Sequence, residues 1–421
     1  MAGSSNGSRR ELRRVVITGI GAVTPVGNDA ETFWRNILAG KSGITRITHF
    51  DPSRHAVQVA GEIKGFDPLE VMDHKTARRS GRFAQIALKA AKEALVSARL
   101  EPDAELATEM GVVLASTGGV FEMGRQETII DERGPNRVDP LLIPRLGPHM
   151  SAGRVGRQLG LRGPNTSINS ACASATDALG HAFNMIRSGS ADVLLAGGTE
   201  AIITPVAVAT MGLMGALSKG YNDTPEKASR PFDAKRDGFV LGEGAGVLVL
   251  ESEEHALERG ATILAEYIGQ GWSFDAADDA APDAEGQSLA LKRALQTAEV
   301  APEEIDWINA HGTGTPYNDK SETAAIKLAF GEAAYDVPVS SIKSMVGHSA
   351  AAAGGVEAVA SVLAIRDNKI PPTINYEFPD PECDLDYVPN ALREAKVDTV
   401  LSSSFGMGGQ NATLIFRRWA G

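Results

Sequence analysis

Three residues spread along the 421-residue chain have the chemistry to act together on a thioester: Cys172, His311 and His348. Cys172 follows the strand-like run Thr166–Ile168. It precedes Ala175, Leu179, Ala182, Met185 and Ile186, which recur at helical spacing, with Gly189 as the stop. A lone cysteine is more often a small buried hydrophobe than a nucleophile. At a strand-to-helix turn, however, unpaired N–H groups favour the thiolate, and the small neighbours Ala171 and Ala173 leave the sulfur reachable. His311, in Asn309-Ala310-His311-Gly312-Thr313-Gly314-Thr315, follows a predicted strand. His348, in Lys343-Ser344-Met345-Val346-Gly347-His348-Ser349, precedes an Ala-rich helix, whose dipole should keep it neutral and able to donate a hydrogen bond to an oxyanion. Either histidine alone reads more readily as structural. With Cys172 they form a coherent set for thioester chemistry. The run Ser340-Ser341-Ile342-Lys343 also fits an SxxK pattern, but no SDN or KTG follows in suitable context, and that reading is rejected.

These side chains need elements to hold them. The run Arg14-Val15-Val16-Ile17-Thr18 reads as a short buried strand entering a glycine turn at Gly19-Ile20-Gly21. Apolar runs at 111–114, 192–196 and 246–250 predict further strands, and 83–99 predicts a helix. After Gly260 the alternation restarts, with strands over 263–268, 305–308, 337–342, 400–404 and 413–417 and helices over 287–298 and 350–366. Residues 379–389, with three prolines and four acidic residues, read as irregular. The alternation predicts an α/β fold in two halves, 14–260 carrying the cysteine and 261–421 the histidines. Residues 1–13, polar and basic without an apolar stretch, read as a disordered lead.

Composition narrows the partners. Hydrophobic residues make up 43% and charged residues 22%, as in ordinary globular proteins. The net charge of −12 argues against nucleic acid as a partner, because phosphate neutralisation needs Lys and Arg. The two cysteines, Cys172 and Cys383, can build neither a disulfide framework nor a CxxC zinc site, so a reducing, cytoplasmic setting without a metal is expected. No apolar run approaches the ~20 residues that span a bilayer.

Taken in order, the motifs resemble those of elongating β-ketoacyl-[acyl-carrier-protein] synthases, closest to synthase II, in the thiolase-like superfamily. They are Val16–Gly21 with Thr24-Pro25-Val26-Gly27, Leu161-Arg162-Gly163-Pro164, Ser170-Ala171-Cys172, Ala196–Glu200, Ser229–Asp233, Arg236–Gly244, the two histidine runs, and Ser404–Asn411. The resemblance covers roughly residues 14–418. It implies a five-layer αβαβα fold of two similar halves, a homodimer, and decarboxylative condensation of malonyl-carrier protein with an acyl chain on Cys172. It implies no bound cofactor, since the substrates ride on the phosphopantetheine of acyl carrier protein. Backbone N–H groups of Cys172 and Phe405 are expected as the oxyanion hole, and His311 and His348 as donors to the malonyl thioester oxygen. Lys343 and Glu322 match a lysine and a carboxylate read as a positioning pair. Thr313 and Thr315 match the threonines that bond pantetheine amides, and Phe405, Gly406 and Met407 match a gate loop.

Carrier docking is expected on Lys75, Arg78, Arg79 and Arg82, since His74, Arg78 and Arg82 fall at i, i+4 and i+8 of a helical face. The chain departs from the family pattern in three places. Gly215 stands where relatives carry Arg, Met407 and Gln410 replace the commoner Phe and Thr, and the loop 116–120 is one residue shorter; acyl-chain length is therefore left open. Two alternatives remain: a ketosynthase of polyketide assembly, and a non-catalytic partner subunit, which would lack the nucleophilic cysteine.

Overall fold

The structure, a computed structural model, describes residues 12–277 and 281–421. Ten strands form one mixed sheet: β1 (Val15–Val23), β2 (Gly111–Ala115), β3 (Asn165–Ile168), β4 (Val193–Glu200), β5 (Gly244–Ser252), β6 (Ala265–Phe274), β7 (Trp307–Asn309), β8 (Val339–Ser340), β9 (Thr399–Phe405) and β10 (Gln410–Arg417). Their order is β8-β7-β9-β10-β6-β1-β5-β4-β2-β3. Outward from the β6/β1 seam, both sides read first, fifth, fourth, second, third strand, with two antiparallel pairings and then two parallel ones. The seam is short, with Val15 opposite Tyr267, Val16 opposite Glu266 and Ile17 opposite Ala265.

Six helices make the remaining layers: α1 (Arg82–Ser97), α2 (Met150–Leu159), α3 (Ser174–Arg187), α4 (Ala284–Ala298), α5 (Pro316–Phe330) and α6 (Ala353–Asp367). Helices α1 and α2 cover the outer face of the β1-to-β3 side, and α4, with α5 behind it, covers the other outer face. Helices α3 and α6 lie between the two sheet portions, and α6 touches both β5 and β9. Every residue of α6 from Ala353 to Ile365 is buried, which explains why it is small and apolar all round rather than amphipathic. The layer order is therefore helix, sheet, helix, sheet, helix, as the resemblance implied.

Glycine placement sets the spacing of these layers. The expected turn at Gly19-Ile20-Gly21 does not occur, because β1 runs on to Val23 with a register shift between Ile17 and Gly19. The glycines instead let α1 approach: a Cβ on Gly21 would lie 2.0 Å from the Ala90 carbonyl oxygen, and one on Gly19 2.1 Å from that of Ala94. Gly269 and Gly271 of β6 do the same for Ala294 and Ala290 of α4. Two other boundaries differ from expectation. The 337–342 strand shrinks to Val339–Ser340, and the helix at 350 opens as a tight turn, Ala350–Ala352.

Residues 1–11 of the expected lead lie outside the described residues. Arg13 donates its backbone N–H to the Arg187 carbonyl at 3.0 Å. Among the described residues, no helix is long and apolar enough to cross a membrane.

Candidate active site

Cys172 sits in the tight turn Ala171–Ala173 between β3 and α3. Ala171 is held at φ 51°, a left-handed conformation that costs an L-residue about 1–2 kcal/mol. Local hydrogen bonds hold it there: Ala171 N–H donates to Asn169 Oδ1 at 3.1 Å, and Ser174 Oγ donates to the Ala171 carbonyl at 2.5 Å. The same device recurs before α6, where Ala350 has φ 42°. Each central helix thus begins at a strained turn, with Cys172 on one and His348 just ahead of the other.

These turns bring the chemistry together. The sulfur of Cys172 and one ring nitrogen each from His311 and His348 lie within 4.8 Å of one another. The imidazole rings meet edge to face, centroids 5.2 Å apart, and Phe405 stands 5.7 Å from His311 on the other side. His348 is pinned by its own backbone, which donates to the Val240 carbonyl at 2.7 Å, while neither ring nitrogen has a hydrogen-bond partner. A buried imidazole with both nitrogens unused is poised for a ligand. Burial, then the Lys343 charge, pushes both histidines well below the usual 6.5, so they are neutral. The expected neutrality of His348 therefore has a different cause from the helix dipole. One thiol and two imidazoles are also donors that a zinc-type ion accepts, so this cluster is where a metal would be held if one bound.

The thiol behaves differently from expectation. Burial raises it above the ordinary 9.0, and this outweighs the Met407 backbone N–H and the Lys343 charge, which act in the opposite direction. Cys172 is half-buried, so enclosure of the turn acts on the thiol against the helix start. Met407 also bears on the expected oxyanion donor. The N–H that reaches the Cys172 thiol is that of Met407, two residues beyond Phe405. Phe405 ends β9, pairs with Asn411 and is 6% exposed, whereas Met407 is 50% exposed in the glycine-flanked turn.

Lys343 and Glu322 reach His311 by separate contacts. Lys343 makes a buried ion pair with Glu357 of α6, and its Nζ lies 3.5 Å from His311 Nδ1. Glu322 of α5 accepts the backbone N–H groups of His311 and Gly312, both at 2.7 Å, and the Ser403 hydroxyl at 3.1 Å. It therefore shapes the His311 loop directly, and burial lifts its carboxyl to about 7. Glu357 was missed by sequence reasoning. Its signal was the one carboxylate in the buried, Ala-rich stretch from Ala353 to Ile365, where an unpaired charge would be prohibitive.

Thr313 and Thr315 lie side by side, hydroxyls 3.1 Å apart, and Thr315 also caps α5 through the Asn318 N–H. Cys383 is buried, its thiol pushed up to about 12, and plays no part in the cluster. Of the expected docking residues, Lys75, Arg78 and Arg79 are exposed. Arg82 is not free: it pairs with the buried Glu243 at 2.6 Å and donates to the Ile63 carbonyl at 3.0 Å. The single helical face breaks because the helix His74–Arg78 stops and α1 starts afresh at Arg82, after Gly81.

Comparison with known proteins extends this picture. Residues 12–256 match the model of the beta-ketoacyl synthase N-terminal domain, and 264–377 that of its C-terminal domain. The chain is 46% identical over 412 residues to 3-oxoacyl-[acyl-carrier-protein] synthase 2 of Synechocystis sp., covering 97% of this chain and 99% of the relative. It is 48% identical over 411 residues to the protein of that name from Coxiella burnetii, with the same coverage. Among solved structures, the ishigamide ketosynthase/chain length factor superposes with a TM-score of 0.90 at 38% identity, covering 97% of this chain and 100% of that one. The AntDE:AntF complex, a type II polyketide ketosynthase with its acyl-carrier protein, gives 0.88 at 34%, with the same coverage. With both domain models matched in order around one Cys–His–His cluster, the chain belongs to the β-ketoacyl synthase family.

Proposed function

We propose that this protein is a β-ketoacyl-[acyl-carrier-protein] synthase that elongates fatty acyl chains by two carbons, using Cys172, His311 and His348. The observation that carries the reading is the convergence of one thiol and two neutral imidazoles, with both His348 nitrogens unpartnered. The Cys172 sulfur, as thiolate, attacks the acyl thioester; the carrier thiol leaves and takes up the proton. The N–H groups of Cys172 and Met407 hold the developing oxyanion, and losing one such donor typically costs about 2.7–4 kcal/mol of barrier. Malonyl-carrier protein then binds, with its pantetheine amides at Thr313 and Thr315. The carboxylate–carbon bond breaks, CO₂ departs, and its electron pair forms an enolate whose oxygen His311 and His348 hold by hydrogen bonds. The enolate carbon attacks the acyl-Cys172 carbonyl, the carbon–sulfur bond breaks, and the sulfur regains its resting proton. No cofactor takes part; the thioesters supply the activation.

Glu322, and Lys343 with Glu357, act as positioning residues, and the exposed turn with Gly406 and Met407 is the movable gate. Lys75, Arg78 and Arg79 meet the acidic carrier in the cytoplasm, and the halves 14–260 and 261–421 meet at the β1/β6 seam. A polyketide ketosynthase would use the same cluster, and the type II polyketide ketosynthase among the similar structures keeps that alternative open. Intact-mass analysis after mixing with acyl- and then malonyl-carrier protein tests the reading. Acyl mass on the wild type, none on Cys172→Ala, and release of CO₂ with a β-ketoacyl product are expected. Acylation of Cys172→Ala would refute it. A series of fatty acyl and polyketide-type donors separates the two pathways.

A further inference from the structure

A cavity lies on the opposite face of the sheet from the Cys172 turn. Along β2, Val113 and Ala115 pack toward α3, on the Cys172 side, whereas Val112 and Leu114 pack toward Ala152 and Val155 of α2. Between α2 and the short helix His74–Arg78 lies an open pocket of about 560 Å³. Four cations line it: Lys75, Arg79, Arg154 and Arg157. Arg154 is only 5% exposed; among the described residues its one side-chain hydrogen bond is from Nη2 to the Arg79 carbonyl at 2.8 Å, and Nε has no partner. Among the described residues, none of the four forms an ion pair. The carboxylate that lines the pocket, Asp73, is engaged at the helix start, accepting from the Thr76 N–H and hydroxyl. Burial, then Arg157 and Arg79, pulls the Arg154 guanidinium below its ordinary value, the mark of a crowded, uncompensated charge.

A buried cation without a counter-charge is costly in a chain whose net charge is −12, where carboxylates to pair it are abundant. Guanidinium forks match phosphate oxygens in particular. Beside the cations, Leu141, Ile143, Pro144 and Met150 give the pocket an apolar wall, which a bare inorganic ion would leave unused. We propose that this pocket binds a small organophosphate, its phosphate held by Arg154, Arg157, Arg79 and Lys75 and its organic body against the apolar wall.

The test is thermal unfolding of the full chain in phosphate-free buffer at constant ionic strength. The probes are inorganic phosphate, pyrophosphate and adenosine 3′,5′-bisphosphate. The bisphosphate is expected to raise Tm saturably, by about 3 °C or more, with inorganic phosphate acting more weakly. Arg154→Gln should abolish the shift. Arg157→Gln, at an exposed position that folding tolerates, should reduce it at least about tenfold in apparent affinity. Lys396→Gln, which removes one charge elsewhere, should leave it intact. No saturable shift with any probe, or an unchanged shift in both arginine variants, would overturn the proposal. A response to inorganic phosphate without one to the bisphosphate would overturn the organophosphate assignment. The readout needs no carrier protein, so it stands apart from the condensing reaction.

Discussion

Enclosure governs the behaviour of individual residues in the active site. Because burial raises the Cys172 thiol above 9.0, the resting protein carries a thiol at neutral pH. Alkylation of Cys172 by iodoacetamide, followed by peptide mapping, should climb about tenfold per pH unit through neutrality and still be rising at pH 9. A plateau below pH 8 would show a thiolate already formed. Lys343 and Glu357 give a second expectation. Lys343→Met leaves Glu357 buried alone and should destabilise the protein by about 3 kcal/mol, and Lys343→Met with Glu357→Leu should recover most of it. Denaturant midpoints decide this; a double variant no better than the single one would show that the pair is not the cause. Cys172, His311 and His348 were legible because side-chain type and glycine context mark them, whereas Lys343 and Glu322 were picked out only by the family resemblance. The Met407 N–H was not, since a backbone donor leaves no trace in residue type. Nor was the direction of the thiol shift, in which burial of the turn outweighs the opposing Met407 N–H and Lys343 charge.

At the scale of elements, the layers touch through glycines. A Cβ on Gly246 of β5 would lie 2.2 Å from the Gly355 carbonyl carbon of α6, so backbone meets backbone with no side chain able to yield. Gly246→Ala should therefore cost about 3 kcal/mol or prevent folding. Gly153→Ala, in α2 with its nearest neighbour the Met150 sulfur at 3.8 Å, should instead stabilise by up to about 1 kcal/mol. Thermal midpoints of the two variants shifting in opposite directions would support glycine as the spacer; equal losses would count against it. Periodicity located most of these elements, because α1 and α4 alternate faces and the strands are apolar runs. It misjudged Gly19-Ile20-Gly21, because a glycine for close approach and a glycine for a turn look alike in sequence.

At the scale of the whole molecule, the sheet ends differently at its two edges. Strand β8 has two residues, both buried, but β3 is a four-residue edge that stays partly exposed from Asn165 to Ile168. An open edge of this kind invites another chain, and the homodimer that the family resemblance implies would have a place to form there. The carbonyls of Pro164 and Ile168 accept from Val112 and Ser116, so the even-numbered backbone groups face β2 and those of Asn165 and Ser167 face outward. If two copies join edge to edge, the wild type should sediment at twice 44.3 kDa. Ser167→Pro removes an outward donor while leaving the β2 pairing untouched, and should give monomer. Ser167→Ala loses only the hydroxyl contact to Ser151, at 3.0 Å, and should stay dimeric. A Ser167→Pro protein that remains a folded dimer would place the interface elsewhere. A monomeric variant that loses condensation as well would show that the edge also holds the nucleophile turn, which begins three residues beyond Ile168.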